Sequence, residues 1–120
     1  MQGVQFTATS TTAENQMLSN PMYVHSIPNN NDNQDIVSMG CNAALMTKKV
    51  LDNTFEVLSI QAMAIAQAID FLSCQDQLST RTRSFYEAVR AIFPVFIEDH
   101  PKYKDIMTIR TFLVESALLD

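Results

Sequence analysis

The sequence predicts an all-α protein, on three observations. Glycine and proline are scarce, two and four in 120 residues, while alanine, leucine, methionine and glutamine recur, a composition that favours helix over turn-rich sheet. After Gly40 no proline or further glycine interrupts the chain as far as Leu72, and the apolar residues of that run fall at helical spacing. With 47% hydrophobic residues the chain can bury a core of ordinary size as a single helical segment, residues 1–120.

Residues 1–18 read as a helix because Val4, Ala8, Thr11 or Thr12, Asn15 and Leu18 recur at three- to four-residue steps. The polar run TATSTTAENQ has weak helix propensity, and the segment opens without a capping residue, as a helix missing its earlier turns would. Residues 19–37 carry Pro21, Pro28 and the asparagine-rich IPNNNDNQD. These are loop signals, since proline removes a donor and asparagine hydrogen-bonds its own backbone, and a loop of this length points to function.

Residues 38–72 read as one long core helix with two apolar stripes. Met46, Val50, Val57, Ala64, Ala68 and Phe71 define the first; Leu51, Phe55, Leu58, Ile65, Ile69 and Leu72 define the second. Two stripes predict two buried faces. A helix of about 32 residues is about 48 Å long, whereas a compact chain of this length has a radius of gyration of about 14 Å. The helix outruns its own domain, so some of its packing partners are expected outside this chain. After the polar link SCQDQLST, two more helices are predicted. One covers 80–93, with Phe85, Val89 and Ile92 inward and Pro94 at its end; the other covers 104–119, with Ile106, Ile109, Leu113, Val114 and Ala117 inward.

A net charge of -5, with eight scattered basic residues and none before Lys48, argues against a nucleic-acid surface. The stretch Val57 to Ile69 is broken by Ser59, Gln61 and Gln67 and is shorter than the roughly 20 residues a bilayer demands, so no membrane insertion is expected. MQGVQFTATSTT has neither the basic start nor the apolar run of a signal peptide. Cys41 and Cys74 form no CxxC pair and have no ligand-spaced histidine, so no metal site or disulfide scaffold is indicated and a reducing, cytoplasmic setting is expected.

His25 and His100 lack partners at a catalytic spacing, and there is no glycine-rich phosphate loop and no GxSxG elbow. The seven methionines read as core filler, and Glu14 with Asn15 as a solvated polar pair. What remains is the amide cluster. Asparagine and glutamine offer donor and acceptor without charge and can orient a zwitterion, here just ahead of the positive end of a long helix. On composition alone the plainer reading, a solvated loop with a helix cap at Asp35 or Ser38, is favoured.

NQDIVSMG, followed by a long alanine-rich helix ending AQAIDF, resembles the aromatic amino-acid ammonia-lyase family of histidine, phenylalanine and tyrosine ammonia-lyases and related aminomutases. Upstream, AENQMLSNP and HSIP resemble the segment that leads into this motif in the histidine branch. The likeness runs from near Gly3 to about Leu72, and the last two helices agree more loosely.

The resemblance implies a largely helical homotetramer with long, roughly parallel helices and composite active sites. It also implies elimination of ammonia from an aromatic amino acid by a methylideneimidazolone group, made from an Ala-Ser-Gly tripeptide. No Ala-Ser-Gly occurs in these 120 residues. The chain is therefore expected to be the C-terminal portion of such an enzyme, catalytically incomplete alone, with other copies or a missing N-terminal portion as partners.

Asn33 and Gln34 match the family's Asn-Gln pair, which lies beside the electrophile and the amino-acid end of the substrate. Asn30 stands three residues earlier, where members vary among polar or acidic residues that approach the amine. Asp35 follows the pair as in the phenylalanine and tyrosine branches, where the histidine branch has Asn-Gln-Glu-Asp. Two rival readings stand beside this one: a free-standing helical assembly protein descended from such a lyase, and a small-molecule binding module that keeps the amide loop without catalysis.

Overall fold

The helix Gly40–Leu72, α2, sets the architecture. The structure, a computed structural model, describes residues 2–24 and 39–116. Around α2 it places three further helices: α1 at Gln2–Met17, α3 at Thr80–Ile92 and α4 at Tyr103–Glu115, with single 3-10 turns at Met22–Val24 and Gln75–Gln77. No strand occurs among the described residues. With its 33 residues α2 is about 50 Å long. It gives the molecule extents of 67 × 31 × 20 Å and a radius of gyration of 19.8 Å, well beyond the value of about 14 Å for a compact chain of this length.

α1 runs antiparallel to α2: Asn15 near its end meets Val50, while Val4 and Ala8 near its start pack on the core around Ile60. The stripe read from the sequence is the one that faces α2, with Thr11 buried and Val4, Ala8, Asn15 and Leu18 half-buried. α3 and α4 cover the middle and the C-terminal half of α2. The core joins Ile60, Ala62, Met63 and Ala66 of α2 to Val89 of α3, Phe93, and Ile106, Ile109 and Leu113 of α4. Phe93, Met63 and Ile109 are completely closed to solvent.

The buried face of α2 differs from the expected one. Two apolar stripes suggested two buried faces, but Leu51, Leu58, Ala64, Ile65, Ala68, Phe71 and Leu72 are exposed in this chain. Met46, Val50, Phe55 and Val57 are half-buried, and Ile69 alone of the two stripes is buried. Asn53, Ser59, Ile60, Ala62, Met63, Ala66 and Ile69 form the covered face instead. Small side chains let the other helices approach here. Ser59 is buried at no polar cost because its hydroxyl donates to the carbonyl of Phe55 at 2.6 Å.

Helix ends follow local chemistry. α2 stops at Ser73, whose left-handed conformation (φ 51, ψ 42) turns the chain so that its N–H reaches the carbonyl of Asp70. Ser79 caps α3, its Oγ accepting from the N–H of Thr82 at 3.3 Å. Expected to 93, α3 ends at Ile92, and Phe93 is extended because Pro94 disfavours helical geometry in the residue before it. Expected over 104–119, α4 begins at Tyr103 and ends at Glu115, with Ser116 extended. A carboxylate in a last turn that holds no cation opposes the helix dipole and gives no reason to continue. Val114, expected inward, is 55% exposed; Ala117 lies outside the described residues.

Candidate functional site

Asn30, Asn33 and Gln34, with Asp35, Ser38 and His25, lie outside the described residues. The structure does place their neighbours in the chain. Val24 closes the turn Met22–Val24, and Met39 is the N-cap of α2 and makes no side-chain capping bond. Leu18 and Met22 share a hollow with Ala43, Met46, Thr47 and Val50 in the first turns of α2. The two described residues that flank the amide-rich segment in sequence, Val24 and Met39, thus belong to parts of the chain that lie at the N-terminal end of α2.

One polar joint holds this end of the molecule together. Asn53 is buried, and its Nδ2 donates to Glu14 Oε2 at 2.8 Å and to Asn15 Oδ1 at 2.9 Å. Asn15 in turn points its Nδ2 at the carbonyl of Val50, 3.4 Å, and Thr54 Oγ1, 3.5 Å. Lys49 lies 3.7 Å from Glu14 Oε1 across half-exposed surface. Glu14 is exposed as expected of a solvated pair and Asn15 is half-buried, and both are also the acceptors that make burial of the Asn53 amide tolerable. Asn53 escaped the sequence reading. Its one signal is position: Met46, Asn53, Ile60 and Gln67 recur every seventh residue, two amides in an otherwise apolar column.

The second amide of that column anchors the other end. Gln67 Oε1 accepts the N–H of Phe96 at 3.0 Å and Gln67 Nε2 donates to the carbonyl of the same residue at 3.2 Å. Arg90 reaches Gln67 Oε1 and the carbonyl of Phe93, and forms an ion pair with Asp70. Tyr86 and Gln75 donate to Asp70 Oδ1. Burial pushes the Asp70 carboxyl up, but the hydrogen bonds from Tyr86 and Gln75 and the Arg90 charge outweigh it and hold the group below its ordinary value. With its partners all structural, this network ties α2 to α3.

Between the start of α1, the middle of α2 and the start of α4 lies an open cleft of about 950 Å³, with Phe6, Glu56, Phe96, His100 and Tyr103 among its walls. Its cations are engaged. Arg110 bonds Asp52 at 2.6 Å. Lys102, 5% exposed, sits over the rings of Phe93 and Phe96, lies 3.3 Å from Asp105 and donates to His100 Nε2 at 2.6 Å. That bond leaves Nδ1 of His100 as the protonated nitrogen, donating to the carbonyl of Glu98. His100 holds a lysine in place, and among the described residues its ring nitrogens bond Lys102 and the Glu98 carbonyl and no nucleophile.

Compared with known proteins, the chain matches the family described as aromatic amino acid lyase over residues 1–91. It belongs to that family. It is 34% identical over 118 residues to a tyrosine ammonia-lyase of Cupriavidus metallidurans, covering 98% of this chain and 22% of that protein. To histidine ammonia-lyase 1 of Fusobacterium nucleatum it is 39% identical over 103 residues, 86% of this chain and 20% of that protein. Among solved structures, the tyrosine aminomutase of Streptomyces globisporus superposes with a TM-score of 0.92 at 36% identity, covering 98% of this chain and 22% of that one. The chain thus spans about a fifth of the length of these relatives.

Membership of this family raises the question of a methylideneimidazolone group. The described residues do not fit one: the buried Asn53 amide gives its hydrogens to Glu14 and Asn15, and Gln67 gives donor and acceptor to Phe96. The sequence contains no Ala-Ser-Gly from which the group could form.

Proposed function

We propose that this chain is the substrate-positioning and assembly portion of an aromatic amino acid lyase or aminomutase, and that the electrophile which eliminates ammonia comes from polypeptide outside these 120 residues. In this reading the substrate is an aromatic amino acid, histidine, tyrosine or phenylalanine. The amides of Asn33 and Gln34 orient its zwitterion and the electrophile, and Asn30 approaches its amine. Uncharged amides suit that task because they meet both ammonium and carboxylate without favouring either. The carrying observation is the Asn-Gln pair, six residues ahead of a 33-residue helix in sequence, in a chain of which 98% superposes on 22% of the Streptomyces aminomutase. The first turn of α2 carries no acidic residue, and Met39 no capping bond, so its positive end is left to act on what lies beyond it.

In the same reading the chain associates through α2, as a homo-oligomer or with a missing N-terminal portion, and works in the cytoplasm without membrane or nucleic acid. By length and composition alone α2 would also cross a bilayer. The bonded amides of the buried Asn53 and the half-buried Gln67 favour a helix that packs in protein.

The test is complementation. The chain is co-expressed with the Cupriavidus tyrosine ammonia-lyase cut back to remove its matching segment, and coumarate, cinnamate and urocanate are followed by ultraviolet absorbance. Product from the pair, none from either alone, and loss of product with Asn33→Ala or Gln34→Ala are expected. Turnover by this chain alone, or none by the pair, would overturn the proposal.

A further inference from the structure

We infer that Asn53 is a positioning residue, whose amide locks α1 onto α2 and so fixes the two points, Val24 and Met39, between which residues 25–38 run. The inference rests on the proposed function for its consequence, because that reading puts Asn33 and Gln34 in this stretch. Its physical basis is independent.

Asn53 is the only buried amide between α1 and α2 among the described residues, at 3% exposure. Both hydrogens of its NH₂ group are used, on a carboxylate and an amide oxygen from consecutive residues of α1. Consecutive helical positions are about 100° apart around the helix axis, so a single donor group that bonds both allows one rotation of α1 about its own axis. Asn15 then returns a bond to Val50 one turn away, which fixes the axial register as well. The apolar contacts of Val4 and Ala8 with the core cannot supply this, since hydrophobic packing is not directional. Four residues beyond Glu14, Leu18 begins the stretch that lies against Ala43 and Met46, so rotation of α1 would carry the exit of the amide segment with it.

Amide hydrogen exchange on the full chain reads this directly. Asn53→Asp turns two donors into acceptors that face Glu14, and is expected to speed exchange about tenfold or more over 10–24 and 39–50 while leaving α3 and α4 within about twofold. The pair Glu14→Gln with Asn53→Asp reverses donor and acceptor across the Glu14 bond but not the Asn15 one, and should slow exchange in those segments at least about threefold relative to Asn53→Asp alone. Equal acceleration in all four helices, no acceleration, or no rescue by the pair would overturn the inference. Should Asn53→Asp not fold, Asn15→Ala at the half-buried rim is expected to accelerate the same two segments about threefold and no others; unchanged exchange there is equally decisive.

In the complemented enzyme, Asn53→Asp should lower kcat about tenfold with a smaller change in KM, and the pair Glu14→Gln with Asn53→Asp should recover part of that loss. Absence of turnover with the parent chain counts against the proposed function, and exchange then decides on Asn53. Turnover by the parent with unchanged kcat in Asn53→Asp counts against the positioning role.

Discussion

Gln67 and Phe96 exchange two hydrogen bonds: the side-chain amide of the first accepts the backbone N–H of the second at 3.0 Å and donates to its carbonyl at 3.2 Å. Phe96 lies in the irregular link between α3 and α4, where its backbone has no helical partner, so one α2 side chain satisfies both of its polar groups. Gln67→Leu keeps most of the volume but orphans both groups, and the Arg90 contact with Gln67 goes too. A loss of about 2–3 kcal/mol is expected, measured by urea denaturation against the parent chain. A change below about 0.5 kcal/mol would mean that water replaces the amide without loss.

Asp70 makes stability depend on acid. Its folded carboxyl is held below the ordinary value, so the unfolded chain binds the proton more readily. The resulting stability is present above the unfolded value, near 3.8, and disappears as pH falls through the lower folded value. Thermal melts from about pH 6 down to about pH 2 should show Asp70→Asn less stable than the parent at the upper end and nearly equal to it at the lower. Parallel curves for the two chains would show that Asp70 does not carry this part of the acid limb.

Ser73 offers a gain instead of a loss. Its φ of 51 places a side chain in the left-handed region, where glycine sits without strain. Ser73→Gly should stabilise the chain by about 0.5–1 kcal/mol, net of the extra freedom it gives the unfolded state. A lower melting temperature for Ser73→Gly would show that the serine makes good its strain elsewhere.

These relationships show which parts of the molecule were legible in the sequence. The helical periodicity of Val4, Ala8, Thr11, Asn15 and Leu18 names the face that α1 turns inward, and Ile106, Ile109 and Leu113 do the same for α4. α2 was harder, because it is apolar nearly all round and periodicity cannot say which stripe this chain covers. The covered one contains Asn53, Ser59 and the half-buried Gln67, whose polarity argues for exposure until their partners are known. Ser59 bonds one turn back, to Phe55, but the partners of the two amides lie far off in sequence: Glu14 is 39 residues from Asn53, and Phe96 is 29 from Gln67. Pattern reasoning over a few helical turns cannot see bonds of that range. Asn33 and Gln34 became candidates through the motif around them, since a run of asparagines reads by its chemistry as an ordinary loop.

One apolar face of α2 is left open in this chain. Leu51, Leu58, Ile65 and Leu72 follow one another at seven-residue intervals and are 55%, 43%, 51% and 68% exposed. A straight α-helix drifts only about 20° per heptad, so the four form a continuous stripe along most of the helix. Phe71 at 86% and Leu45 at 69% widen the apolar surface at its two ends. Such a surface is costly in water, and its removal by association is favourable by about 25 cal/mol per Å² before the entropic cost of assembly. The parent chain is therefore expected to self-associate in light scattering. Leu58→Lys with Ile65→Lys, at the middle of the stripe and remote from the buried face, should shift it toward monomer with an unchanged helical circular dichroism spectrum. A parent chain that stays monomeric at high concentration would count against association through α2, and a double variant that associates as strongly would place the contact on another face.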